Sequence, residues 1–462
     1  VTARRRFFEE RCRPMASAAE RLAANLDLGA FGKATELQQR ILFTLGALII
    51  YRLGTFIPIP GIDMAQFKLV FDQQTEGGAG FLGMFNVFSG GAIQRMAIFA
   101  LNVMPYISAS IIIQLLAITS PSLERMKKEG EAGRKQLNQY TRYLTVVLAV
   151  IQSAGIAVGM QSQPGLVPNP GAFFVASTII TLTGGTLFLM WIGEQITSRG
   201  VGNGISLIIF AGIVATLPGV LGGALQQSQS GELDGFALLM LLAVLLGVIF
   251  FVVFIERSLR RLVIQYPKRQ VGNRMFMGDS SFLPLKINTA GVIPPIFASS
   301  LLLLPTTALQ FIGMNETAPE WLQSIVGSLG YGQPLHMVFY AVLILFFCFF
   351  YTSIVFNPEE TADNLRKYGG FLPGIRPGKK TAEYLDYVLT RLTVIGALYI
   401  TFVCLLPELL IAYYQIPFYL GGTSLLIVVS VTLDTVTQVQ SHLYAHQYEG
   451  LIKKSKLRGR SR

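Results

Sequence analysis

Ten apolar segments dominate the sequence, near 41–57, 96–118, 140–160, 172–193, 204–222, 236–255, 288–312, 335–356, 388–407 and 419–437. Most are long enough to cross a hydrocarbon core of about 30 Å as a helix. Inside lipid each backbone polar group needs an internal partner, which continuous apolar helices supply and open structure does not. The chain therefore reads as an all-α polytopic membrane protein with ten transmembrane helices. Only 14% of its residues are charged, about half the share of a soluble domain, too few to cover the surface of soluble domains of this total length. Cys12, Cys348 and Cys404 are odd in number and far apart. They read as small buried hydrophobes, with neither a disulfide framework nor a metal cluster.

The basic residues fix the orientation. With an even number of spans both termini share a side, and that side carries 34 of the 37 Lys and Arg residues. Only Arg52, Lys68 and Arg95 fall outside it. By the positive-inside rule both ends are cytoplasmic. One helix more or fewer in the middle would exchange the sides of every later loop and destroy the segregation, so the distribution also supports the count of ten.

Ten spans divide into an N-terminal half, 41–222, and a C-terminal half, 236–437, joined by a short polar linker, 223–235, expected in the periplasm. Each half has an odd number of helices, so the two have inverted topology, an arrangement in which the working path runs between halves. Residues 1–40 form a cytoplasmic tail with eight basic and five acidic residues. With no apolar signal region there, the chain is expected to enter the membrane by its own helices. Residues 1–14, before Met15, read as an upstream extension, and 438–462 form a basic cytoplasmic tail.

Several residues break the apolar pattern. Asn102, Pro105, Ser108, Ser110 and Gln114 within 96–118 are too many polar groups for a lipid-facing helix and point to protein or a water cavity. Pro105 is expected to kink that helix at the carbonyl of Leu101. Segment 81–95 is apolar but short and rich in Gly. It reads either as a re-entrant piece beside a gated path or as an interfacial amphipathic helix. Asn288 with Pro294-Pro295, and Gly421-Gly422-Thr423-Ser424, soften two helices of the second half. Arg52 lies near a helix end where it can snorkel, and midplane charge of the kind an ion-coupled pump needs is nearly absent.

No catalytic constellation, cofactor site or metal site emerges. Gly374 to Thr381 has the wrong glycine spacing for a phosphate loop, and His442 with His446 lack a third ligand. An intramembrane enzyme is disfavoured. The cytoplasmic loops 256–287 and 357–387 are basic and longer than ordinary connections. They read as docking surfaces for an anionic partner or as the orientation signal alone. By pattern and parity the chain could be a passive polypeptide channel or an inverted-repeat transporter of a small solute.

Five motifs resolve that choice by resemblance. Met104-Pro-Tyr-Ile-Ser-Ala-Ser-Ile-Ile-Ile-Gln-Leu-Leu116, Gly193-Glu-Gln-Ile-Thr197 with Gly202-Asn-Gly-Ile-Ser206, Phe356-Asn-Pro-Glu-Glu-Thr-Ala-Asp-Asn364, Phe371-Leu-Pro-Gly-Ile-Arg-Pro-Gly378 and Gly421-Gly-Thr-Ser-Leu-Leu-Ile427 resemble the bacterial SecY family. Its members are channel subunits of the protein translocase. The resemblance runs from about Glu36 to Gln447.

It implies a clamshell of two five-helix halves around an hourglass pore in the bacterial cytoplasmic (inner) membrane. Secretory polypeptides would pass through the pore, and transmembrane segments would leave sideways into lipid. The waist would be a ring of Val103, Ile107, Ile205, Ile209, Ile296 and Ile427, with Val at a position where Ile is usual. An apolar constriction of this kind dewets and blocks ions. Segment 81–95 matches the plug, with Phe81, Phe85, Asn86, Phe88, Ser89, Gly90, Gly91 and Arg95. Gln114, Gln152 and Asn288 would lie at a lateral gate between the second and third spans and the seventh and eighth, with polar contacts across it favouring closure. Arg274, Arg376, Lys379 and Lys380 would bind the SecA motor or the ribosome, although Asn273 stands where an Arg is frequent. SecE, SecG, signal peptides, nascent chains and membrane lipids complete the implied partners.

Overall fold

The computed structural model describes residues 35–76, 86–161, 165–229, 235–267, 269–271, 274–276, 280–311, 333–414 and 421–459. In the first part of the chain the helices are α1 (Thr35–Gly54), α2 (Met64–Glu76), α3 (Met104–Thr119), α4 (Pro121–Lys128), α5 (Glu131–Gln161), α6 (Ala172–Arg199) and α7 (Gly204–Gln229). The second part holds α8 (Gly235–Glu256), α9 (Ile293–Phe311), α10 (Pro334–Val355), α11 (Pro358–Lys367), α12 (Lys379–Tyr414) and α13 (Gly422–Gly459). Each of the ten apolar segments carries one helix: α1, α3, α5 to α10, α12 and α13. Among the described residues five helices are individually long and apolar enough to cross a membrane, and the pair α3–α4, bent by 104°, makes a sixth. Helices α7, α8 and α9 hold shorter apolar stretches, Gly204–Val220, Leu242–Glu256 and Ile293–Leu302.

The second apolar segment departs from expectation. Its helix starts only at Met104, and Pro105 lies in the first turn. There the missing N–H is one that the helix leaves unpaired anyway, so the proline begins the helix instead of kinking it. Pro294 and Pro295 take the same role in the first turn of α9. The preceding residues 89–103 fold back through turns, with Met96 (φ 41°) and Asn102 (φ 49°) in the left-handed region. Backbone bonds from Ile98 N–H to the Ile57 carbonyl (3.0 Å) and from Ile59 N–H to the Met96 carbonyl (3.0 Å) tie this stretch to the residues that follow α1.

Glycines let that stretch lie close to its neighbours. A Cβ at Gly54 would overlap the Phe99 ring, and one at Gly185 would overlap the Ile98 carbonyl. Phe99 is thus wedged between α1 and α6, with its ring centroid 6.2 Å from that of Tyr51. Gly185→Val is expected to cost about 2–3 kcal/mol through overpacking. Gly184→Val, whose Cβ would meet nothing within 4 Å, serves as the control, and thermal aggregation midpoints in detergent read the difference.

The helices from the two halves of the sequence meet in two zones. In one, α9 packs on α3 and α5; in the other, α13 packs on α7 and α1, and α8 packs on α7. Leu37 and Val201 are buried together, with Ile41, Val439 and Leu443 packed against them. The start of α1 and the later part of α13 therefore share one side of the bundle, called the terminal side below.

The loop 256–287 contains strands that the helical reading missed. Strand β1 (Leu259–Gln265) pairs antiparallel with β4 (Ser280–Lys286), with Leu262 opposite Leu283. The short strands β2 (Arg269–Val271) and β3 (Arg274–Phe276) pair beyond them. Alternate residues of β1 are buried, the period expected of a half-covered strand. Gln265 bridges to Phe371, and Leu262, Ile264, Leu285, Leu372, Leu385 and Leu389 share one apolar cluster. The two long basic loops are consequently one folded body.

Candidate functional site

The six aliphatic residues singled out as a waist converge from four helices and share one apolar cluster. Val103 precedes α3 and is 1% exposed, Ile107 lies in its first turns, and Ile427 of α13 is 1% exposed. Ile205 and Ile209 are one turn apart on α7, and Ile296 is in the first turn of α9. Ile205 and Ile296 are half-buried.

Small residues in the surrounding motifs set these positions. A Cβ at Gly204 would overlap the Gly193 carbonyl, so the two glycine motifs meet backbone to backbone where α6 and α7 join. The Gly204 N–H donates to the Thr197 hydroxyl at 2.9 Å, and that hydroxyl donates to the Gly193 carbonyl at 2.9 Å. Gly202, at φ 89°, makes the turn before α7, a conformation that glycine adopts without penalty. On the other side a Cβ at Gly422 would overlap the Val403 carbonyl, which brings α13 close to α12. Glu194 of the first motif pairs with Arg142 through two 2.8 Å hydrogen bonds, joining α6 to α5.

Residues 86–95 lie against this cluster. Val87 and Phe88 belong to its buried core, with Phe88 4% exposed and Ser89 1% exposed. The described part of the segment is thus buried or half-buried in protein. The Gln94 N–H donates to Asn86 Oδ1 at 3.0 Å, closing the turn. Gly90 (φ 69°) and Gly91 (φ 84°) are left-handed. A Cβ at Gly90 would sit 3.0 Å from the Gly212 Cα, so the segment lies directly on the backbone of α7. Arg95 stacks over the Phe56 ring at 4.1 Å. Phe81 and Phe85 lie outside the described residues.

The polar residues singled out for the seam behave differently. Helix α9 does pack on α3 and α5, but Gln114 donates to Ser110 Oγ on its own helix at 3.2 Å. Asn288, just before α9, donates to Glu256 Oε1 at 2.6 Å and accepts from the Gly291 N–H at 2.9 Å. Gln152 is half-buried on α5. The hydrogen bonds of Gln114 and Asn288 thus stay on one side of the seam. For Asn288 the acceptor is the carboxyl group of Glu256, the last residue of α8 in its own half.

In the loop body, Arg376, Lys379 and Lys380 are exposed. Gly374 (φ 82°) and Gly378 (φ 106°) form the turn around Arg376. The Thr381 hydroxyl donates to the Arg376 carbonyl at 3.0 Å and fixes it. Arg274 lies on β3. Asp434 of α13 approaches Lys286 of β4 at 3.7 Å.

Arg52 does not snorkel away: its guanidinium donates to the Gly90 carbonyl at 2.6 Å. Glu408 lies inside α12, 2% exposed, 2.7 Å from His336 in the first turn of α10. Sequence pattern also missed Tyr51 and Glu256. A single polar residue ending an apolar run gives no sign of which distant carbonyl or amide it will meet.

A family model described as SecY matches residues 97–436. Protein translocase subunit SecY of Escherichia coli strain K12 is 54% identical over 436 residues, covering 94% of this chain and 98% of that protein. The Vibrio cholerae protein of the same name is 53% identical over 431 residues, covering 93% and 96%. Among solved structures, a protein-conducting channel matches with TM-score 0.65 at 18% identity, covering 88% of this chain and 92% of that one. Sec61 in the canine ribosome–channel complex from the endoplasmic reticulum matches with TM-score 0.63 at 18% identity and the same coverage.

Proposed function

Because the chain belongs to the SecY family, we propose that it conducts unfolded secretory polypeptides through the waist between its halves and releases transmembrane segments sideways at the seam of α9 with α3 and α5. The chain is a multi-pass membrane protein and the pore-forming subunit of a protein translocase, a channel and not an enzyme. Its ten helices take the clamshell arrangement of that class of channel. The observation that carries the reading is that six aliphatic side chains, from the start of α3 and from α7, α9 and α13, share one apolar cluster that Val87 and Phe88 of the buried segment also join.

In mechanism, the ring Val103, Ile107, Ile205, Ile209, Ile296 and Ile427 dewets when empty and excludes ions, and its side chains fit around a passing chain. Residues 81–95 are the plug. The halves 41–222 and 236–437 part about the linker 223–235. Apolar segments then leave through the seam because burial in lipid is favourable. In the closed state the seam is held by apolar packing of α9, with Gln114, Gln152 and Asn288 at its margins.

The membrane is the bacterial cytoplasmic one, with both termini and the loop body inside. The placement of 34 of 37 basic residues on that side supports this orientation. Energy comes from partners: the SecA motor and the ribosome dock on the loop body through Arg274, Arg376, Lys379 and Lys380. SecE and SecG complete the membrane complex. A relative engaged by a ribosome supports the ribosomal part of this reading.

Arg376→Glu tests it. The side chain is exposed, so the substitution leaves the fold alone. It also reverses a charge facing an anionic partner, where a charge-assisted contact is worth roughly 1.5–3 kcal/mol. Motor-driven secretion into vesicles is expected to fall at least about tenfold with normal assembly of the membrane complex. Equal loss of assembly and secretion would make the residue structural and contradict the docking role.

A further inference from the structure

Three consecutive backbone carbonyls of the buried segment each accept a hydrogen bond from a side chain outside it. Asn102 Nδ2 donates to the Phe88 carbonyl at 2.7 Å, the Tyr51 hydroxyl to that of Ser89 at 3.2 Å, and Arg52 Nη1 to that of Gly90 at 2.6 Å. We propose that Asn102, Tyr51 and Arg52 are a clasp that holds the plug by its backbone, and that undoing it is the step that frees the waist. This proposal rests on the channel reading above and assigns the residues that regulate it.

The clasp grips main chain, so it is indifferent to the side chains of Phe88 and Ser89. Arg52 also lies over the Phe56 ring at 4.8 Å, which holds its guanidinium beside the Gly90 carbonyl. Asn102 is 3% exposed and left-handed at φ 49°. Glycine would satisfy that backbone with less strain, and among other residues Asn and Asp tolerate it best. Of these only Asn offers an amide donor, so the residue fits both the turn and the carbonyl. It also immediately precedes Val103, which couples the grip on Phe88 to a side chain of the waist.

Tyr51 and Arg52 reach the segment from neighbouring positions on α1 across 38 residues of sequence. Tyr51 is 1% exposed and stacked on Phe99, which holds its hydroxyl in place. The gripped stretch lies flush on Gly212 of α7, the helix that carries Ile205 and Ile209. Asn102 Oδ1 is buried with no hydrogen-bond partner among the described residues. Such an unpaired acceptor makes the closed arrangement less stable than a fully satisfied one, which suits a contact that must release.

The test uses the full chain, purified with its membrane partners and reconstituted in planar bilayers, with idle ion conductance measured per channel. Asn102→Gly keeps the turn and removes the amide; Tyr51→Phe removes one hydroxyl. Each is expected to raise the idle conductance about threefold to tenfold, the range for one lost hydrogen bond, and the double variant to exceed either. Arg52→Lys, which keeps a donor, should open the channel less than Arg52→Ala. A purely structural role would lower the yield of assembled complex without changing conductance per channel. Parental conductance from the double variant, alongside a leaking Ile205→Ser/Ile209→Ser control, would overturn the clasp alone. A silent control as well would overturn the channel reading with it.

Discussion

Replacing Ile205 and Ile209 together with Ser will make the idle channel leak ions. The two side chains lie one turn apart on α7 within the cluster shared by all six proposed waist positions. Each Ile to Ser exchange removes most of an apolar side chain, worth roughly 1.5–3 kcal/mol for the buried Ile209 and less for the half-buried Ile205, and leaves a hydroxyl that binds water. The apolar constriction then wets. Conductance of the resting complex is expected to rise at least about tenfold, while the helix itself remains, because α7 is fixed at its root by Gly193, Thr197 and Gly204. Unchanged conductance in single-channel recordings would mean that these residues do not form the barrier.

Gly212→Val will displace the segment proposed as the plug. A Cβ at Gly212 would sit 2.7 Å from the Phe88 carbonyl oxygen, 3.0 Å from the Tyr51 hydroxyl and 3.3 Å from the Gly90 nitrogen. Two of these atoms are backbone and cannot rotate aside, so strain of about 1–3 kcal/mol is relieved only when the segment withdraws. Valine is acceptable to the α7 helix itself. The chain should accumulate normally, leak ions and secrete polypeptides that lack a signal sequence, with export of such substrates rising roughly fivefold or more. Gly219→Val, whose Cβ would meet nothing within 4 Å, should do none of this. Loss of the Gly212→Val protein from membranes would instead assign the contact to folding.

Much of the architecture was legible because lipid imposes a simple rule: each apolar run must be a helix, and Lys and Arg segregate to one side. The detail that escaped lies where backbone leaves that rule. Pro105 was readable as a helix disruptor, but whether a proline kinks a helix or starts it depends on where the first hydrogen bond falls, and that is set by the turn through Asn102. The β1–β4 hairpin was visible as alternation around Leu262 and Ile264, masked by the arginines flanking it. The six waist residues were named through family resemblance, since nothing in Ile205 alone separates a pore side chain from a core one. Tyr51, Arg52 and Glu256 were unreadable in their roles because their partners are a distant carbonyl, another such carbonyl and an amide 32 residues away. The seam residues failed in the opposite sense: Gln114 and Asn288 were correctly seen as polar groups needing partners, and found them within their own halves.

In the proposed mechanism a polypeptide passes through the cluster of Val103, Ile107, Ile205, Ile209, Ile296 and Ile427. Its most direct test is a photoreactive residue in place of Ile205, in membranes holding a secretory polypeptide stalled midway. A crosslink to the mature part of the stalled chain is the predicted result. No crosslink from that position, despite efficient labelling from controls at Lys379 and Lys380, would contradict the account.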